Sequence, residues 1–276
     1  MLDDDHLARI ADALLEVPGV CGVALGGSRA RGTHTPDSDV DLGLYHEGPL
    51  DVQALASRAR EYGGEHAEVT VPGGWGPWVD GGGWLTIDGM PVDWIYRDVQ
   101  RVEASVAAAQ RGDITRHYQL GHPFGVPEYG YAAEIALGAV IADPARRLAA
   151  LKDSLTPYPP ALSAALVRAL ADADFTLALA RKGASRGDAV YVSGCLFQAL
   201  LIGANAIHGA AGSWVTNEKG AVALAASLPA APDRFAERAA RIAGDLGQTS
   251  AELARTINEA EALLADTRDR IAARPR

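Results

Sequence analysis

Lysine is nearly missing from this sequence: three occur in 276 residues, Lys152, Lys182 and Lys219, and none precedes position 152. The formal net charge is −10. Together these exclude broad nucleic-acid binding through a basic surface, which needs many phosphate-neutralising cations, and leave room only for a small local contact. Cysteine is as scarce, with Cys21 and Cys195 alone. Neither a disulfide framework nor a paired-cysteine metal site is expected, and both thiols read as small buried apolar groups. No uninterrupted apolar run reaches about 18 residues, so no membrane span is expected. The opening MLDDDHLARIADALLEV is acidic and amphipathic, unlike a secretory or transit leader. A cytoplasmic location is the resulting expectation.

What is present is ample core material, 48% hydrophobic residues, and a lopsided charge. Residues 1–125 carry 9 arginines against 19 acidic side chains, net −10, whereas residues 126–276 balance 16 basic against 16 acidic. The residue pattern changes near the same point. Before it come a helix over 3–16, apolar strands at 20–25 and 39–45, a helix over 51–62 and a possible strand at 66–71. A Gly/Trp loop at 72–83 leads to WLTI and PVDWIY, which flank Asp88-Gly89-Met90 as a hairpin. Residues 98–111 then read as helix. After GHPFGVPEYG (121–130), Ala/Leu-rich helices are expected at 129–142, 144–154, 159–183, 188–208, 216–227, 233–246 and 248–272. Fraying is expected from about 270. The fold class is therefore α/β plus all-α, with a mixed-sheet domain over 1–125 and a helical bundle over 126–276.

The chemistry concentrates in ALGGSRARGTHTPDSDVDLGLY, residues 24–45. Asp39 and Asp41 are two apart on a strand, so both side chains take one face while Val40 and Leu42 take the other. Two such anions repel unless a cation sits between them, and oxygen ligands suit Mg²⁺. Asp93, inside the apolar strand PVDWIY, is a third candidate, because a lone acid there is costly unless paired or metal-bound. The bland alternative makes Asp39 a turn cap and Asp93 an edge-strand surface acid. Gly26 and Gly27 allow close backbone approach to a ligand, and Ser28 opens a short helix with free N–H groups for an anion. Arg29 and Arg31 can add charge for a polyphosphate or remain solvated. The spacing from Gly27 to Gly32-Thr33 approaches a P-loop, but no lysine stands between Gly32 and Thr33, so that reading is rejected.

Gly27-Ser28, a ten-residue spacer, Asp39-x-Asp41 and a later strand acid at Asp93 resemble the signature of the DNA-polymerase-β-like nucleotidyltransferase superfamily. The resemblance covers residues 20–97. It implies a five-stranded mixed α/β domain, two Mg²⁺ ions, ATP or another nucleoside triphosphate, and nucleotidyl transfer with release of pyrophosphate. It assigns Ser28 to the triphosphate and Asp39, Asp41 and Asp93 to the metals. A helical bundle behind such a domain is similar to the aminoglycoside and lincosamide nucleotidyltransferases, in which the acceptor lies between the domains. WVTNEKGAVALAASLP (214–229) is similar to their lysine-bearing helix near that cleft. With no lysine in the first domain, Lys152 or Lys219 from the bundle is expected to reach the phosphates, against the bland reading of solvated helix lysines.

A hydroxyl nucleophile also needs a base. Glu134, an acid among apolar neighbours in YGYAAEIALGAVIAD, is the candidate, with Glu128 second; either can instead be a plain surface glutamate. His117 and His122 lack a third ligand at suitable spacing and read as packing residues. Trp75, Trp78 and Trp84 either stack on a base or sugar acceptor or pin the Gly-rich loop. Tyr191, Phe197 and Leu200 read as core, with Asn205 and His208 on the same helix. The leading function is transfer of AMP to a small-molecule hydroxyl, with an antibiotic among the candidate acceptors and antibiotic resistance as the corresponding role. The alternatives are a regulatory or antitoxin-type nucleotidyltransferase acting on a protein partner, RNA end-addition, and a nucleotide-binding module without catalysis. No extended nucleic acid and no membrane are expected as partners.

Overall fold

The computed structural model describes residues 2–274. The chain falls into two compact units. The first comprises the chain up to Ala108 together with Arg116–Pro157; the second comprises Ala109–Thr115 and the chain from Tyr158 onward.

The first unit contains, in order, α1 (Asp4–Leu15), β1 (Val20–Leu25), α2 (Gly27–Ala30), β2 (Val40–His46), α3 (Val52–Gly63), β3 (Gly82–Ile87), β4 (Met90–Asp98) and the start of α4 (Val99–Arg111). It continues with a hairpin of β5 (Arg116–Gln119) and β6 (His122–Pro127), then α5 (Gly130–Leu137), β7 (Ala139–Ala142) and α6 (Arg147–Asp153). The five-stranded sheet has the order β3-β4-β2-β1-β7. β2 and β4 run parallel and the other neighbours antiparallel, so the sheet is mixed as expected.

Alternation sorts the two faces. Val40, Leu42 and Leu44 of β2 and Val92, Trp94 and Tyr96 of β4 enter the core, where α1 supplies Ile10 and Leu14 and α3 supplies Leu55 and Ala59. Asp41 and Asp93 take the opposite face. Both helices start on aspartate caps: Asp3 accepts from the His6 N–H at 2.8 Å, and Asp51 from those of Gln53 and Ala54 at 3.1 and 2.9 Å. Each satisfies N–H groups that the first helical turn leaves open.

The expected helix over 129–142 is instead α5 followed by a strand. Gly138 adopts extended backbone (φ −66°, ψ 152°), and the β-branched Val140 and Ile141 run on beside β1, with Ala139 opposite Leu25. This fifth strand carries the first unit beyond the boundary expected at 125/126. Residues 66–71 are not a strand; Thr70 meets the β3 edge through its N–H to the Gly82 carbonyl at 2.7 Å. The β5–β6 hairpin lies where the sequence shows no alternating apolar pattern.

The second unit is helical: α7 (Pro160–Arg168), α8 (Leu170–Ala184), α9 (Ala189–Ala211), α10 (Ala221–Ala226), α11 (Phe235–Gly244) and α12 (Ser250–Ala272). The helix expected over 159–183 is split at Ala169. A capping box between Thr249 and Glu252 starts α12. That helix runs through the expected fraying point at 270, and residues 275–276 lie outside those described. By length and composition α9 is apolar enough to cross a membrane, yet 61% of its apolar window is buried, as in a core helix. Asn205 and His208 are buried in this unit: Asn205 donates to the Leu201 carbonyl, and the His208 ring meets Ser213 Oγ and the Ala221 carbonyl. Burial pushes the His208 pKa below its usual value.

Candidate active site

The strand register assembles the carboxylates. Asp41 on β2 stands directly beside Asp93 on β4, and Asp39 just precedes β2. Oxygens of Asp39, Asp41 and Asp93 lie within 4.8 Å of one another. Among the described residues this is the group whose ligand atoms converge for a metal ion; His117 and His122 join no such group. His117 instead stacks on Trp78, centroids 3.9 Å apart, and meets Glu128 at 2.5 Å. Glu128, the second candidate base, is therefore hydrogen-bonded to His117.

Three anions at this separation repel. Burial first, then Asp39, Asp93 and Glu134, push the Asp41 pKa up to about 6. Burial and then Asp39 raise that of Asp93. A hard divalent cation fits this donor set, because it relieves the repulsion among all-oxygen ligands that stay ionised.

The glycine turn abuts the same carboxylate. The Gly26 N–H donates to the Asp41 carbonyl at 2.8 Å. Gly27 has φ +60°, and a Cβ there would come within 1.7 Å of Asp41 Oδ2. Only glycine permits both this conformation and this approach. α2 follows as a single turn, with Ser28 half-buried at its start.

The arginines divide. Arg29 is committed to the loop: it donates to the Asp39 carbonyl at 2.9 Å and the Ser38 carbonyl at 2.6 Å, and lies 3.3 Å from Met90 Sδ. It therefore sets the approach of the chain into Asp39. Arg31 is exposed, its Nε bonded to the Gly27 carbonyl at 3.1 Å, and its charge acts to lower the Asp41 pKa. Lys152 belongs to the first unit, not to a separate bundle, and its Nζ donates to the Gly138 carbonyl next to β7. Lys219 belongs to the second unit and is exposed ahead of α10.

Glu134 holds a bidentate pair. Arg97 Nε donates to one carboxylate oxygen at 2.5 Å and Nη2 to the other at 2.9 Å. Arg97 is only 7% exposed, and it also donates to the Val79 and Tyr96 carbonyls and lies over the Tyr131 ring. Burial works against its cation, but Glu134 more than offsets this and the pKa rises. The signal for Arg97 was in the sequence: it lies four residues after Asp93 on one strand, hence on the same face.

The Trp-rich loop is built rather than loose. Gln119 of β5 accepts from the Trp78 and Val79 N–H groups and donates to the Trp75 carbonyl. Asp80 Oδ1 accepts from the Gly73 N–H at 2.6 Å. Trp75 and Trp84 stack with centroids 4.6 Å apart.

Comparison with known proteins bears on this geometry. Residues 7–71 match the family model described as the nucleotidyltransferase domain. No curated protein sequence matches the chain. Among solved structures, a nucleotidyltransferase-like protein from Exiguobacterium sibiricum aligns over 98% of this chain and 78% of its own, at 13% identity and a TM-score of 0.47. That likeness is too distant to bear on substrate. The matched stretch spans the glycine turn and the Asp39-x-Asp41 pair, and the chain thus carries an N-terminal nucleotidyltransferase domain and falls in the class of transferases that move nucleotidyl groups.

Proposed function

We propose that the protein transfers AMP from ATP to a hydroxyl group of a small molecule and releases pyrophosphate. The observation that carries this reading is the convergence of Asp39, Asp41 and Asp93 within 4.8 Å, directly against the Gly26-Gly27-Ser28 turn. In this reading the turn and Ser28 bind the triphosphate, with Arg31 adding charge. The three aspartates would hold Mg²⁺, which when bound would supply positive charge to the phosphates and to the oxygens of the displacement.

The acceptor oxygen forms a bond to the α-phosphorus, the bond to the β-phosphate oxygen breaks, and the acceptor's proton passes to a carboxylate. Asp93 is the better proton acceptor. It sits at the edge of the trio away from the glycine turn. Glu134 has both oxygens bound to Arg97 and would have to give up those bonds.

The test incubates the protein with Mg²⁺, each labelled nucleoside triphosphate and a panel of antibiotics and metabolites, and follows pyrophosphate release. Transfer is expected with at least one acceptor and is expected to vanish in Asp41→Ala. In the same assay Asp93→Asn should lose far more turnover than Glu134→Gln. A panel-wide blank identical to that of Asp41→Ala would sink the proposal; the reverse ranking would return the base to Glu134.

A further inference from the structure

The sheet register continues the carboxylate row one strand further. Asp93 of β4 pairs with Trp84 of β3 just as it pairs on its other side with Asp41. Directly paired residues present their side chains to one face. Trp84 is 71% exposed, whereas Trp94 one residue beyond Asp93 is fully buried. The exposed ring is backed: it stacks on Trp75 with the planes 16° apart. Trp75 is itself fixed by its N–H to the Asp80 carbonyl at 2.8 Å and by Gln119 Nε2 on its own carbonyl at 2.7 Å. Gly82 makes its seat, since a Cβ there would lie 2.9 Å from the Trp75 ring.

We propose that Trp84, supported by Trp75, is the platform on which the acceptor's ring stacks. The inference rests on the transfer reading above and adds where the acceptor binds. Across the sheet the order is Trp84 on β3, Asp93 on β4, Asp41 on β2, and the Gly27-Ser28 turn at the end of β1. With strands about 4.8 Å apart, the indole's backbone stands roughly 10 Å beyond that of Asp41. The triphosphate tail and the indole pair therefore flank the carboxylates on opposite sides. An in-line displacement puts the incoming oxygen opposite the leaving pyrophosphate. With pyrophosphate held on the glycine-turn side, the hydroxyl enters from the side of Asp93 and Trp84. A cyclic hydroxylated molecule can lay its C–H face on the indole, and a positive charge on it gains from the ring and from the acidic domain.

The experiment uses the full chain, loaded with Mg²⁺ and a non-hydrolysable ATP analogue. It titrates in neamine, a cationic two-ring aminosugar, and separately lincomycin, with calorimetric detection. Wild type, Trp84→Ala and Trp84→Tyr are compared. Saturable binding of at least one probe is expected, weakened about tenfold or more in Trp84→Ala and largely kept in Trp84→Tyr, as befits aromatic stacking. Affinity for the nucleotide analogue and the melting temperature should not change. No binding of either probe to wild type, equal binding by Trp84→Ala, or loss of nucleotide rather than probe affinity would each overturn the platform. The two proposals fail separately: probe binding lost in Trp84→Ala, with no pyrophosphate release from any acceptor, sinks the transfer reading and leaves the stacking site standing.

Discussion

At Asp41, burial, Asp39 and Asp93 all oppose ionisation, in that order, and hold the carboxyl near pH 6. An unfolded aspartate titrates near 3.9. The folded state therefore keeps an extra proton between these values, so this contribution to stability is full below the unfolded pKa and lost as pH rises through the folded one. Two pKa units amount to about 3 kcal/mol at most. Metal-free protein is expected to melt at a higher temperature at pH 5 than at pH 7.5, with Mg²⁺ restoring the loss at pH 7.5. Asp41→Asn should remove most of the difference. Thermal melts in chelator and in Mg²⁺ across this range provide the check, and a wild-type protein no more pH-sensitive than Asp41→Asn would refute the account. Carboxylates that repel each other would gain the relief of that repulsion on binding a cation. Gly27 belongs to the same arrangement, since its bare α-carbon is what lets the Asp41 carboxylate lie against the glycine turn.

Among the secondary-structure elements, the Arg97–Glu134 pair joins β4 to α5. One partner is almost wholly buried, and truncating either leaves a charge without its counter-ion. Arg97→Met alone is expected to cost about 3–5 kcal/mol. Combining Arg97→Met with Glu134→Gln should recover part of that loss. A double-mutant cycle in urea measures the coupling, and strictly additive losses would show that the pair is not the tie it appears from its geometry. These same elements show how far the sequence could be read. β1, β2 and the β3–β4 hairpin were legible because apolar alternation and the Asp88-Gly89 turn mark them. Asp39, Asp41 and Asp93 were legible because an acid in an apolar strand needs a reason. β7 was not: AVIA is four residues long, and a short apolar run after a helix has no period by which to tell strand from helix. Arg29 was legible as a cation but not as a brace, because its carbonyl partners come from a loop whose path no local pattern encodes. The Glu134 carboxylate was legible as an acid among apolar residues and Arg97 could be placed on the Asp93 face, but their pairing, 37 positions apart, was set by tertiary contact alone.

Taken whole, the molecule divides its residues unevenly between the units, and the division has a consequence for truncation. The first unit needs the chain as far as Pro157, because β7 covers the outer edge of β1. A fragment ending at residue 125 would leave that edge open, together with the apolar surface that α5 and α6 bury. Open edges template association with other chains. Fragment 1–125 is expected to aggregate or remain partly unfolded, whereas 1–157 should be markedly more soluble and cooperative in melting. Size-exclusion chromatography and circular dichroism of the two fragments distinguish the outcomes, and a monomeric, cooperatively melting 1–125 would contradict this reading of the sheet.

The late arrival of β7 also sets a clock during synthesis. β1 ends at residue 25 and its outer neighbour begins at residue 139. At about 5–20 residues per second on the ribosome, the outer edge of β1 waits several seconds to a few tens of seconds for its partner. By the end of that interval the glycine turn and Asp39, Asp41 and Asp93 have all been made. The residues of the candidate site are thus synthesised before the strand that closes their sheet, and the newborn protein must keep one bare β-edge shielded until translation catches up.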